Sequence, residues 1–306
     1  MDGRVDTRTD EDGARDSTRG AVLGFAAYLI WGTMPLYFRL LVPATAWEIL
    51  AHRIVWSLVF CLALLALLRH PAPTWRRPAR ENAGLALAGV LIAINWVTYL
   101  YAVTTGRVTE AALGYFLNPL VSVALGLLLL GERLRPLQTL AVSIGAAGGL
   151  YLALTGGSVP WLAFVLAFSF GFYGLVKKRI GVGLGALEGM TYETAVLAPA
   201  AVGMLVWLGM TGRATALSEG PTHTLLLVST GIFTAVPLIL FAMAARRVPL
   251  VTLGLLQFIA PVLQFLTGWL LGESMTMHRW IGFGIVWVAV TVLMLDPVLA
   301  RRARTR

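Results

Sequence analysis

The residues able to do chemistry in this chain sit inside stretches that are otherwise almost wholly apolar. Glu48, His52 and Arg53 fall within one such run. Glu48 and His52 are four apart and share a helical face, whereas Arg53 is turned by about 100° from His52. Glu188, Tyr192 and Glu193 repeat the theme later in the chain. A charged side chain at mid-bilayer costs about 2.5–3.5 kcal/mol on insertion scales, so it faces a cavity or a partner. The chemistry on offer is recognition of a polar small molecule, or proton transfer through carboxylates and His52, whose type titrates nearest neutral pH. Both groups open their helices. Placement at the membrane interface therefore accounts for Glu48 and Glu188 as well, and both readings stay open.

Further polar groups lie deeper. Asn95 and Tyr99 are four apart on one helical face. Asn95 is placed either to contact substrate or to join two helices by a hydrogen bond. Trp96 and Tyr101 read as packing or interface-belt residues. Pro119 and Pro261 sit within apolar runs, where each removes a backbone donor and disturbs the bond to the carbonyl four residues back. Those carbonyls belong to Tyr115 and Gln257. Carbonyls freed at membrane depth line a cavity or find local partners, and with Asn118 beside the first break this is the preferred substrate site. Pro35 and Pro237 do the same to Trp31 and Phe233, which places Trp31 and Tyr37 near a bend. Glu132 with Arg133 and Arg135, like Glu273 with Arg279, reads as shaping a helix turn.

Several function classes drop out. No GxxxxGK[ST], GxGxxG or HExxH occurs, so the chain carries no P-loop ATP site. The four histidines, His52, His70, His223 and His278, show no metal-ligand spacing, and no cofactor is expected. The single cysteine, Cys61, cannot form an intrachain disulfide. A net charge of +9 would suit nucleic acid only if it were gathered on one face. It lies instead in short groups between apolar runs. A membrane-embedded enzyme would need paired catalytic groups at one depth, and no nucleophile–base pairing is visible. A non-transporting scaffold or receptor predicts large extramembrane segments or a dispensable polar core, and the loops are too short for the former; the embedded enzyme and the scaffold stay as the rival readings.

The elements that must position these residues are transmembrane helices. Hydrophobic residues make up 58% of the 306-residue chain and charged residues only 13%, against about a quarter charged in soluble domains. Residues 1–19 are polar, with six acids and four arginines, and predict a disordered tail. Apolar runs long enough to cross a bilayer then recur near 20–40, 45–68, 82–103, 108–130, 135–154, 159–177, 186–209, 222–244, 249–271 and 277–296. Ten helices put both termini on one side. That side carries nineteen of the Lys and Arg residues and the other five, namely Arg39, Arg53, Arg107, Arg213 and Arg279. Basic residues stay cytoplasmic, so both termini are expected inside.

An internal repeat underlies this order. Glu48 matches Glu188 at a shift of 140, Pro119 matches Pro261 at 142, and Gly131-Glu132 matches Gly272-Glu273 at 141. Each unit has five helices, an odd number, so the second must enter the membrane from the opposite face. Inverted repeats of this kind mark transporters whose substrate sites lie near the midplane, between repeats and beside interrupted helices.

The stretches AYLIWGTMPLYFRLL (27–41), EILAHRIVWS (48–57), EAALGYFLNPLVSVALGLLLLGERLRPLQ (110–138) and LGLLQFIAPVLQF (253–265) resemble the RarD proteins. These belong to the EamA branch of the drug/metabolite transporter superfamily. The resemblance implies a ten-helix inner-membrane permease with cytoplasmic termini, transporting without ATP, and it favours export. The family name derives from a link to chloramphenicol sensitivity. The expectation is thus an all-α integral membrane protein with a tail at 1–19, a first five-helix repeat at 20–156, a second at 157–297 and a basic cytoplasmic tail at 298–306. It would move a small metabolite or drug-like molecule by alternating access, with protons as a candidate coupling ion. The substrate site is drawn from Trp31, Glu48, His52, Arg53, Asn95, Tyr99, Tyr115, Asn118, Tyr192, Glu193 and Gln257, beside helix breaks at Pro119 and Pro261.

Overall fold

A computed structural model describes residues 7–70, 78–104, 108–154, 161–180 and 185–270, with most positions between 277 and 295. Among these residues there is no strand. The chain forms α1 (Thr7–Arg39), α2 (Ala46–Leu67), α3 (Ala79–Thr104), α4 (Val108–Leu130) and α5 (Pro136–Leu154). It continues through α6 (Trp161–Ile180), α7 (Ala186–Met210), α8 (Pro221–Ala245), α9 (Leu250–Leu256) and α10 (Ile259–Leu270). An all-helical solution follows from the solvent: in hydrocarbon, only helices and closed barrels satisfy every backbone group internally. Seven of the described helices contain spans long and apolar enough to cross a membrane, from Arg15–Arg39 to Pro221–Ala245. The described helical residues within 277–295 fall inside the tenth expected run. Gly272, Glu273, Arg107, Arg279 and the tail at 298–306 lie outside the described residues.

Two expectations are corrected. The segment 1–19, expected to be disordered, is helical from Thr7 and continuous with α1. Extending an existing helix needs no new nucleus, no proline interrupts it, and Asp16 pairs with Arg247 Nε at 3.1 Å. The run 249–271, expected as one helix, is split at Gln257–Phe258 into α9 and α10. Around the break the bonds tighten to three-residue spacing: Gln257 N–H to Gly254 C=O at 3.2 Å and Phe258 N–H to Leu255 C=O at 3.3 Å. Pro261 leaves the Gln257 carbonyl without its usual donor, and the Ala260 N–H takes it instead at 3.3 Å. That carbonyl is therefore bonded locally. Its side chain carries the interest.

The packing has a regular exchange pattern. If α1, α2, α3 and α4 are matched to α6, α7, α8 and the α9–α10 pair, each major contact has a counterpart. The α1–α8 contact is answered by α6–α3, α1–α10 by α6–α4, and α2–α8 by α7–α3, while α2–α7 and α4–α9 match themselves.

Two close crossings fix the centre. A Cβ on Gly231 of α8 would lie 2.3 Å from the backbone carbonyl carbon of Trp56, so only glycine lets α2 and α8 approach this far. The contact is locked by Ser57 Oγ–H donating to Gly231 C=O at 3.1 Å. Gly254 of α9 is similarly set, 3.1 Å from the Pro119 carbonyl and 2.9 Å from Ser122 Cβ, measured from where its Cβ would be.

Candidate functional site

The same bundle encloses a cavity of about 110 Å³. A single water needs roughly 10–15 Å³ by this measure, so the space holds a small organic molecule or several waters. Seven of its seventeen lining residues are aromatic, and it draws on α1 to α4 as well as on α6, α8 and the α9–α10 break. Of the expected site residues, Trp31, Arg53, Asn95, Tyr99, Tyr115, Asn118 and Gln257 line it, with Pro261 beside them. Asn118 lies near the middle of α4, and Gln257 is the C-cap of α9 at the break.

Arg53 is the one charged residue among the described lining. Once Gly231 has brought α8 against α2, Thr234, one turn further along, reaches Arg53, whose Nε–H donates to Thr234 Oγ1 at 3.0 Å. The guanidinium carbon lies 4.7 Å from the Trp96 ring centroid and 5.4 Å from that of Phe38. Aromatic faces stabilise a partly desolvated cation in this geometry. Opposite, Tyr99 and Tyr115 bring their rings to 5.8 Å between centroids.

The amides are held from behind. Asn95 Nδ2 donates to the Leu166 carbonyl at 2.9 Å and to Ser169 Oγ at 3.1 Å, tying α3 to α6. Asn95 thus joins two helices, and it also lines the cavity. Gln257 Nε2 donates to Ser122 Oγ at 3.0 Å across the Gly254 crossing. The Tyr28 hydroxyl of the wall is buried without a partner, and so are two acceptors, Asn118 Oδ1 and Gln257 Oε1. Buried polar atoms are almost always bonded, and an unpaired one is costly. Both amides belong to the cavity wall, where a guest can supply donors.

Four expected residues are placed elsewhere. Glu48 is fully buried but does not line the cavity. Its Oε1 accepts from the Thr215 and Ala216 N–H groups at 2.7 and 3.1 Å, and its Oε2 from the Thr215 hydroxyl at 3.0 Å. The carboxylate thus fastens the loop between α7 and α8 onto the start of α2. With the Thr215 hydroxyl donating to Glu48, His223 Nε2 must be the donor in its 2.9 Å contact with the same oxygen. His52 accepts from Trp56 Nε1–H at 3.0 Å. The group read as one cluster is therefore divided: Glu48 and His52 on one face of α2, Arg53 about 100° away in the cavity. The Thr45-x-x-Glu48 spacing is that of a capping box, and Glu48 N–H does bond Thr45 Oγ1 at 3.3 Å. The carboxylate itself goes to Thr215 and Ala216 rather than back to the Thr45 N–H, so the spacing marks the start of α2 and only half of the box is made.

Glu193 is likewise committed. It pairs with Lys177 Nζ at 2.6 Å and accepts from the Tyr173 hydroxyl at 3.2 Å, all buried between α6 and α7. Tyr192 packs with Leu85 on the far side of α7. The helix break expected at Pro119 is absent: α4 runs unbroken through it, and Pro119 presents its carbonyl to the Gly254 crossing. Glu132 shapes a turn as expected, accepting from the Leu250 and Val251 N–H groups at 2.8 Å each and so capping α9.

The lining also contains residues that were not expected, notably Tyr28, Phe38, Trp96 and Phe170. Trp96, read as packing or belt, is instead the platform beneath Arg53. Helical spacing marks most of them. Tyr28, Trp31, Pro35 and Phe38 form one stripe of α1, and Ile92, Asn95, Trp96 and Tyr99 one stripe of α3. Among the described residues no three His, Cys, Asp or Glu side chains gather as a metal site.

Comparison with known proteins decides the family. The model of the EamA-like transporter family matches residues 18–154 and, a second time, 158–295. This chain belongs to that family. It is 50% identical to Protein RarD of Streptomyces exfoliatus, covering 94% of this chain and 92% of that protein. It is 43% identical to the uncharacterized transporter YojE of Bacillus subtilis, covering 94% and 97%. Identity to Protein RarD of Escherichia coli is 39%, over 96% and 99%. These similarities place it in the RarD subfamily. A crystal structure of a protein 20% identical superposes with a TM-score of 0.69 over 90% of this chain and 97% of the other, a likeness of fold. The chain is thus a multi-pass membrane protein of a transporter family.

Proposed function

We propose that this protein is a secondary transporter that moves a small molecule across the bacterial inner membrane by alternating access, with the central cavity as its substrate site. One observation carries the reading: the cavity is walled by helices from both family-matched segments and lies beside the interrupted α9–α10 pair. Substrate sites of inverted-repeat transporters have this setting. The ten-helix count, with two five-helix units of opposite orientation, is part of the proposal. The paired exchange of helix contacts supports it, as does the recurrence of Glu48 in Glu188 and of Pro119 in Pro261. The concentration of basic residues on one side supports cytoplasmic termini. Rocking one unit against the other would open the cavity to either face in turn. Export is the direction the family resemblance favours. Glu48 and His52 are engaged in the α7–α8 loop and with Trp56, so proton coupling enters this reading only if a gradient drives flux.

The test is uptake by proteoliposomes of purified protein. Labelled metabolites and chloramphenicol are screened with and without an imposed pH gradient, beside Arg53→Gln and Asn118→Ala. Saturable flux that is lost in both variants is expected. Flux that both variants retain would remove the cavity as substrate site. Absence of flux from folded protein across the panel would count against a carrier.

A further inference from the structure

We propose that the cavity is built for a small organic anion, with a carboxylate-type group seated on Arg53, a hydrogen-bond donor turned towards Asn118 and Gln257, and an apolar or aromatic body between. The inference rests on the reading of the cavity as the substrate site and adds the chemical class of the substrate.

The electrostatics lead to it. Arg53 is a cation within a bundle that spans hydrocarbon, where an unpaired charge is among the costliest features a sequence can carry. The buried Lys177 and the half-buried Lys178 have each been given a carboxylate or a carbonyl. Lys177 has Glu193 at 2.6 Å. Lys178, at the end of α6, has the Val248 carbonyl at 2.7 Å and Glu132 at 3.3 Å. Arg53 has one neutral hydroxyl, on Nε, two aromatic faces and the neutral phenols of Tyr99, Tyr115 and Tyr37 in its surroundings. Among the described residues no carboxylate pairs with it. Thr234 holds the Nε edge, so the guanidinium is fixed in place while its terminal nitrogens keep their donors. A planar fork of this kind matches a carboxylate through two parallel N–H···O bonds. An aromatic box for cations would have omitted the arginine, whose charge repels such a guest.

The orphaned acceptors give the second contact. Asn118 Oδ1 and Gln257 Oε1 are buried without a donor, on residues only 6% and 4% exposed. Gln257 is tied at its amide end to Ser122. An N–H or O–H on the guest satisfies them. The remaining wall, including Trp31, Phe38, Trp96 and Phe170, offers ring faces, which bury an apolar body and stack on a flat one.

The experiment is equilibrium binding of radiolabelled benzoate to purified full-length protein in lipid nanodiscs, with unlabelled 4-hydroxybenzoate, benzamide and benzylammonium as competitors. They share one ring and differ in charge and donors. Saturable benzoate binding is expected, with 4-hydroxybenzoate competing more strongly than benzoate itself. Benzamide should compete at least about tenfold less well, since a charge-assisted bidentate pair is lost, and benzylammonium not at all. Arg53→Gln should weaken benzoate by about tenfold or more, and Arg53→Lys by less. If Arg53→Gln does not fold, the competition series on the natural protein and Arg53→Lys carry the test. No saturable benzoate binding, equal competition by the amide or the ammonium, or unchanged binding in Arg53→Gln each overturns the proposal. Anion binding of this pattern without flux in proteoliposomes would defeat the carrier reading and leave the anion site standing. Saturable flux of neutral or cationic compounds that ignores Arg53 would do the reverse.

Discussion

Two cations inside this bundle, the buried Lys177 and the half-buried Arg53, have opposite surroundings. Lys177 lies between α6 and α7 with Glu193 at 2.6 Å, and the Tyr173 hydroxyl completes the carboxylate. Arg53 lies between α2 and α8 with a hydroxyl on one edge, ring faces near its plane and a cavity in front. In the first case the protein has supplied the counter-charge and filled the space. In the second it has supplied neither, and the same physical cost persists unless something else meets it. A paired buried charge specifies how two helices meet. A charge held rigid and left facing a void is set for a guest. Glu48 falls with Lys177, since its oxygens are taken up by the loop at Thr215 and Ala216.

The contrast can be broken by experiment. The crossing that sets Arg53 in place is the most sensitive point. Gly231→Leu would put a side chain where even a Cβ meets the Trp56 backbone at 2.3 Å, and loss of monodisperse folded protein is expected on size-exclusion chromatography. Next is Glu193→Ala, which strands Lys177 in the interior. Breaking a buried pair from one side costs about 3–5 kcal/mol, to be read from unfolding in detergent, and Lys177→Met added to it should restore much of the loss. A melt as robust as that of the natural chain would end the view of this pair as structural. Glu48→Ala removes a carboxylate that accepts three hydrogen bonds, worth about 1.5–3 kcal/mol each at most when charged and not additive. The melting temperature should fall while benzoate binding persists, and lost binding in a folded variant would return Glu48 to the site. The smallest effect on stability is expected for Arg53→Gln, within about 1 kcal/mol, because the Thr234 bond and the two ring contacts given up are offset by removal of an unpaired charge. Flux should nevertheless collapse. A large drop in stability with flux intact would make Arg53 another Lys177.

Much of the site was legible because helical geometry is regular. Asn95 and Tyr99 share a stripe, and extending it at three- and four-residue spacing reaches Ile92 and Trp96. Trp31 extends in the same way to Tyr28, Pro35 and Phe38. What periodicity cannot tell is which partner each face meets. Glu48 and Arg53 are five residues apart with equal claims as intramembrane charges, yet the α7–α8 loop reaches one and Thr234 of α8 the other. Both contacts join residues far apart in the chain. The capping-box spacing at Thr45 marks the start of α2 and does not separate them.

By itself, the sequence determined that the chain is helical and spans a membrane, because apolar runs of that length leave the backbone no other way to satisfy its hydrogen bonds. It also determined the internal duplication and where a proline would disturb a helix, since both are properties of order along the chain. Only the tertiary structure decided that α9 and α10 separate at Gln257, that the Gln257 carbonyl is reclaimed by Ala260, and that Arg53 alone among the charged candidates faces the cavity. Those outcomes depend on where glycine lets two helices touch. At Gly231 and Gly254 that is settled by the atoms of a distant helix, which no local pattern contains.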